Sequence, residues 1–177
     1  MSTPIVREVK LREDHGFQYE NFVLATQHEI YLLLKKAGTS VSALKFRFTS
    51  LKYGAPNDEA RGSHPLMKYG LGWYGLFQVE NSPWIHELMA SNRIHPSHED
   101  SMFSDRKHYI ACFKDVMFEV VCREFEEVML EEADLAAIFF SAATDIPGVS
   151  SVAGRTCQKF CVRGGFSVLR IDESVSV

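Results

Sequence analysis

Long apolar runs are missing from this sequence. The nearest, LAAIFFSAA, is nine residues long, well short of the roughly 18 or more that a membrane-spanning helix needs. No membrane partner is therefore expected. The opening MSTPIVREVKLRED carries charges early and holds no apolar stretch of signal-peptide kind, so a cytoplasmic location is expected. No block of Lys and Arg stands out, and 19 basic against 23 acidic side chains leave a net charge of −4. Binding that neutralises phosphates wants a basic surface, so nucleic acid is not the expected partner. Cysteine is scarce at four residues. CxxC does not occur, which removes a thioredoxin-like reading. An all-cysteine zinc site prefers two close pairs, and only Cys157 and Cys161 are close. Free thiols are the expectation throughout. The patterns GxSxG and HExxH are absent, and GLGWYG lacks the following helix that a dinucleotide fingerprint requires. No cofactor is named by any motif.

Large apolar anchors are plentiful. Of 177 residues 46% are apolar, with thirteen phenylalanines and six tyrosines, enough for a packed core in one domain over residues 1–177. The first dozen residues, with Ile5, Val6, Val9 and Leu11 among charges, fit a short edge strand. In NFVLATQHEIYLLLKKAG, Phe22, Thr26, Ile30, Leu33, Leu34 and Ala37 share a helical face and Gly38 fits the residue after the helix. A strand around IYLLL is the alternative, because the apolar run is dense. LKFRFTS alternates as a half-buried strand, and the polar segment from Lys52 to Gly70 reads as a long loop. GLGWYGLFQVEN reads as a strand in which Gly72 and Gly75 mark a bulge or a close backbone approach. In NSPWIHELMASN, Ser82 caps a short helix, Pro83 takes its first position, and Trp84 and Leu88 point inward.

The clearest hairpin is KHYIACFKDVMFEVVCR. With Lys114 and Asp115 as its turn, Phe113 opposes Val116. Tyr109, Ala111, Phe113, Val116, Phe118, Val120 and Cys122 then share one apolar face. The other face carries His108, Ile110, Cys112, Met117, Glu119, Val121 and Arg123. Cys112 falls opposite Met117, which disfavours a disulfide to Cys122. REFEEVMLEEADLAAIFFSAA then reads as a helix with glutamates between its apolar positions, and residues 157–171 as a last hairpin. The sum is an α+β fold: a mostly antiparallel sheet of about six strands against two or three helices. A small half-open β-barrel wrapped by helices is the alternative.

Three polar groups are candidates for chemistry. On the hairpin, His108 lies diagonal to Glu119 and Arg123. Glu119 can orient the His108 ring, as carboxylates orient catalytic histidines, and Arg123 can hold an anion. In RIHPSHED, His95, His98 and Asp100 offer imidazole and carboxylate donors to a metal, with His64 or His108 as a further donor; the bland reading is a polar loop. Around VENSP, Glu80, Trp73 and Arg93 supply polar and aromatic reach for a ligand. The expected function is binding of a small polar or anionic molecule, extending to acid–base catalysis by His108 or His98 with Glu119. Whether the protein is an enzyme stays open. The alternatives are a non-enzymatic interaction or regulatory module, including a homodimer, and a metal-dependent hydrolase built on the 95–100 loop.

Overall fold

The Lys114-Asp115 turn forms as the hairpin reading requires, with Asp115 at φ 56°, a left-handed conformation that a short acidic side chain tolerates. It joins β6 (Lys107–Phe113) to β7 (Val116–Glu131). Phe113 faces Val116, Cys112 faces Met117, Ile110 faces Glu119 and His108 faces Val121. In the computed structural model, residues 2–17, 22–26 and 29–144 are described. They hold five further strands: β1 (Ile5–Glu8), β2 (Phe22–Ala25), β3 (Glu29–Ala37), β4 (Ser40–Gly54) and β5 (Gly75–Glu80). All pairings are antiparallel, in the order β1-β5-β6-β7-β4-β3-β2. The fold is α+β with the sheet dominant: seven strands among the described residues, against α1 (Asp58–Arg61), α2 (Pro83–Asn92) and α3 (Glu132–Thr144). The sheet is open, with β1 and β2 at its edges.

Two segments expected to be helical are strands. Phe22–Ala25 form β2 and Glu29–Ala37 form β3, in line with the alternative of a strand around IYLLL, and Thr26 N–H bonds Glu29 C=O at 2.8 Å. Ile30, Tyr31 and Leu32 are buried in succession, as in a strand covered on both faces. Gly38 is at φ 64°, the left-handed value expected of a residue after a helix, but it serves the β3–β4 turn. The second correction is β7, which continues to Glu131 before α3 begins. Its glutamates favour helix, but intrinsic propensity yields to tertiary context, and β4 supplies a full partner strand, pairing Phe46 with Phe125 and Lys45 with Glu126. Phe125 packs on Phe46 and edge-on against Tyr109, at 5.7 and 5.1 Å between ring centroids. Glu131 then clamps the β3–β4 turn through Thr39 and Ser40, at 2.9 and 2.6 Å.

Alternation along the strands builds two apolar clusters. One gathers Ile30, Leu32, Leu44, Phe46, Leu76, Tyr109, Phe113, Phe118 and Val120, and Phe17 stacks on Phe113 from the amino-terminal segment. On the opposite face Phe77, Val79, Ile110, Cys112 and Met117 pack with Leu66 and Leu71 of the long connection. Gly72 belongs to that connection, where a Cβ would stand 2.6 Å from the Phe77 ring, the close approach its position implied. Cys112 and Cys122 are free and buried.

By internal packing the chain divides at Ala136 and Ala137. All seven strands lie in the first unit; in the second, Phe139 and Phe140 meet edge-on and are exposed. The expected hairpin over residues 157–171, with Cys157 and Cys161, lies outside the described residues. Among the described residues no helix is long and apolar enough to cross a membrane.

Candidate functional site

The site lies on the face of the sheet that carries His108 and Glu119. Asn81, at φ 52°, turns the chain out of β5 so that Ser82 caps α2 and accepts Ile85 N–H at 3.3 Å. Pro83 follows at the first helical position, as its fixed φ favours. Ser82 Oγ also stands 2.9 Å from His108 Nδ1, and His108 Nε2 stands 3.0 Å from Glu119 Oε2. Hydrogen-bond roles follow from the ends of this chain. An ionised carboxylate only accepts, so His108 Nε2–H donates to Glu119 Oε2, and Ser82 Oγ, which already accepts Ile85 N–H, completes the chain at Nδ1. Ser82 and His108 are 3% and 2% exposed, so the accessible end of the chain is Glu119.

Around Glu119 the neighbours are positive or polar. Lys52 lies opposite it across the β4–β7 pair, with its ammonium 4.0 Å from the centre of the Trp84 ring. Trp84 packs edge-on against His108 at 5.1 Å, so the first turn of α2 roofs the histidine. His64 Nε2 is 3.9 Å from Glu119 Oε1, and its Nδ1 accepts Leu66 N–H at 3.3 Å. Burial alone would push the Glu119 carboxyl up. The His108 hydrogen bond, with the nearby His108, Lys52 and His64, outweighs it and holds the group below its ordinary 4.5. For His64 burial dominates over the pull of Glu119 and lowers it from 6.5, favouring the neutral ring. An open depression of about 210 Å³, lined by Lys52, Tyr53, Gly54, Pro56, Met117 and Glu119, gives access. It is smaller than the roughly 300–1,000 Å³ of drug-sized sites and suits a ligand of few atoms.

The segment that delivers His64 is latched by a buried arginine. Arg61 is 1% exposed. It donates to the carbonyls of Trp73 and Phe113 and pairs with Asp58 at 2.5 Å. Asp58 and Asp115 each donate a backbone N–H to the other's carboxylate, at 3.0 and 3.1 Å, and Tyr74 O–H adds a bond to the Asp58 carboxylate at 2.9 Å. The loop is thereby tied to the tip of the β6–β7 hairpin.

Of the residues singled out by sequence, the structure brings His108, Glu119 and His64 together. Arg123 instead pairs with Asp105 at 2.7 Å, and Glu80 of β5 with Arg7 of the edge strand β1 at 2.8 Å. Trp73 is half-exposed, with its carbonyl on Arg61. The 92–106 loop closes on itself. His98 uses both ring nitrogens, on Asn92 at 2.9 Å and Asp100 at 2.7 Å; Arg93 grips Asp100 with two bonds, and His95 Nδ1 accepts Ser97 N–H. Among the described residues no three His, Cys, Asp or Glu side chains are arranged to hold a metal. Sequence reasoning gave Lys52 polar reach from the long loop, whereas it lies on β4, and it missed the second role of Ser82. The β4 register shifts between Phe46 and Phe48 and again before Ser50, so counting alternate residues cannot carry the face assignment as far as Lys52. Compared with protein families, with curated proteins and with solved structures, the chain finds no match in any of the three.

Proposed function

We propose that the protein binds a small polar or anionic molecule in the depression beside Lys52 and Glu119, in the cytoplasm, and that any proton exchange with it runs through Glu119 and His64. The observation that carries this reading is the Glu119 carboxylate, deeply set, held ionised, and open to a concave surface. A carboxylate taken from water is costly unless it is paired, and such groups in clefts mark functional sites more often than elsewhere. Met117 and Pro56 add apolar wall and Lys52 adds positive charge, the mixture that fixes a ligand's orientation. His108, wedged between Ser82 and Glu119, acts through Glu119 as an orienting group. Titration of ¹⁵N-labelled protein with a panel of small organic acids, amides and alcohols tests the reading. Amide shifts should cluster at Lys52, Gly54, Met117 and Glu119, and Lys52→Ala should weaken the acids about tenfold. Shifts confined to the 92–106 loop, or none at any residue, would remove this assignment.

A protein-docking module is the second reading. It is favoured by Trp73 and Tyr74, adjacent and 47% and 42% exposed, since exposed apolar groups mark contact surfaces when they cluster. A mass that doubles with concentration in light scattering, and returns to the monomer value in Trp73→Ser/Tyr74→Ser, would favour a homodimer through that face.

A further inference from the structure

Glu119 Oε1 and His64 Nε2 face each other at 3.9 Å, too far apart to hydrogen-bond. The partner atom of each is already engaged. Glu119 Oε2 takes His108 Nε2–H, and His64 Nδ1 takes Leu66 N–H. Oε1 is therefore a pure acceptor and, in the neutral ring, Nε2 is a pure donor. Among the described residues the buried side-chain polar atoms that lack a partner are His15 Nδ1 and Arg61 Nε; Oε1 and Nε2 are not among them, so both reach solvent. A ligand group that serves both must donate to Oε1 and accept from Nε2–H.

Few groups can do so. An ammonium only donates, while a carboxylate, phosphate or ether only accepts. A carboxamide does both, but from two atoms. A hydroxyl does both from one oxygen. Bulk water has the same capability, so a ligand hydroxyl gains over water only through the remainder of the molecule. That remainder meets Lys52, which lines the depression with Glu119 and pairs with it across β4 and β7, its ammonium resting over the Trp84 ring; His64 is not part of the lining and meets the depression through Glu119 Oε1. We propose, resting on the ligand-binding reading above, that His64 and Glu119 form a hydroxyl clamp for a small hydroxy acid: the hydroxyl bridges Oε1 and Nε2, and the acid group faces Lys52. A short hydroxy acid has few atoms, as a depression of about 210 Å³ demands.

Matched ligands separate the clamp from the site. Glycolate, lactate and glycerate would be titrated into the full chain beside acetate, propionate, methoxyacetate and acetamide. Affinity would be read from the amides of Lys52, Gly54 and Glu119, and hydrogen bonding from the His64 ring nitrogens. The hydroxy acids should bind about tenfold or more tightly than the matched acids and the methyl ether, because a hydrogen-bonding site penalises an analogue that leaves its groups unpaired. His64→Ala should abolish that preference, and His64→Phe provides a second variant if the first is unstable. Equal affinity for lactate and propionate at the same amides would overturn the clamp and leave the binding site standing. Tighter binding of acetamide would overturn it in favour of a carboxamide. No shift at Lys52, Gly54 and Glu119 from any compound would overturn both the clamp and the binding site.

Discussion

Burial pushes the Glu119 carboxyl up and His108, Lys52 and His64 together hold it down, and that balance has a sign. Its folded value lies below the ordinary 4.5, so its contribution to stability is complete above that pH and is lost as pH falls through the folded value. His64 is also lowered, from 6.5, chiefly by burial. The unfolded chain takes up that proton first, and stability drops as pH falls below about 6.5 until the folded ring titrates too. Acid should therefore destabilise the protein in two windows. Urea unfolding from pH 8 to pH 3 should show both slopes, with His64→Ala flattening the upper and Glu119→Gln the lower. A lower slope unchanged by Glu119→Gln would mean that His108 does not hold the carboxylate as described.

Elements decide where such residues meet, and here the sequence was partly readable. The β6–β7 register could be read because Lys114-Asp115 is short and alternation is unbroken from His108 to Cys122, which put His108 and Glu119 on one face. The cap of α2 was legible for local reasons: Ser82 and Pro83 suit only the first positions of a helix. Residues 123–131 were not legible as a strand, and over 22–37 a strand was legible only as the alternative around IYLLL. Their apolar spacing fits both periods, and the deciding factor is the partner strand β4, which local sequence does not announce. The site suffered likewise, since Lys52 reaches Glu119 only through a bulged strand and His64 only through the Arg61 latch. Ser82 binds both the helix start and His108, so Ser82→Ala should cost about 1–2 kcal/mol, more than a cap alone at the low end of that range. Thermal unfolding of Ser82→Ala, His108→Phe and the double variant measures it. Losses that simply add would mean the two side chains are not coupled.

At the scale of the whole molecule, Arg61 ties the connection between β4 and β5 to the hairpin tip through a charge that has almost no contact with water. Removing Arg61 leaves the buried Phe113 carbonyl without its donor, which costs about 1–3 kcal/mol, and Arg61→Ala should lose that much by denaturant unfolding. Cys112 and Cys122 report the same event chemically: burial pushes both thiols up to about 12, so alkylation should wait for opening. In a Cys157→Ser/Cys161→Ser background, Arg61→Ala should label Cys112 at least about tenfold faster than its parent. An unchanged rate would show that the latch does not guard this face.

The pairing of β4 with β7 also bears on synthesis. Ser40 meets Glu131 and Gly54 meets Met117, so β4 is made long before β7, the central strand it pairs with. At about 5–20 residues per second, the ribosome holds Leu32, Leu44 and Phe46 in an unfinished hairpin for several seconds until β7 emerges. During that interval the nascent chain presents an unpaired apolar strand, the condition under which chaperones engage and aggregation begins. Yield in the cell should thus depend on the pace of translation across residues 55–131 as well as on the stability of the finished fold.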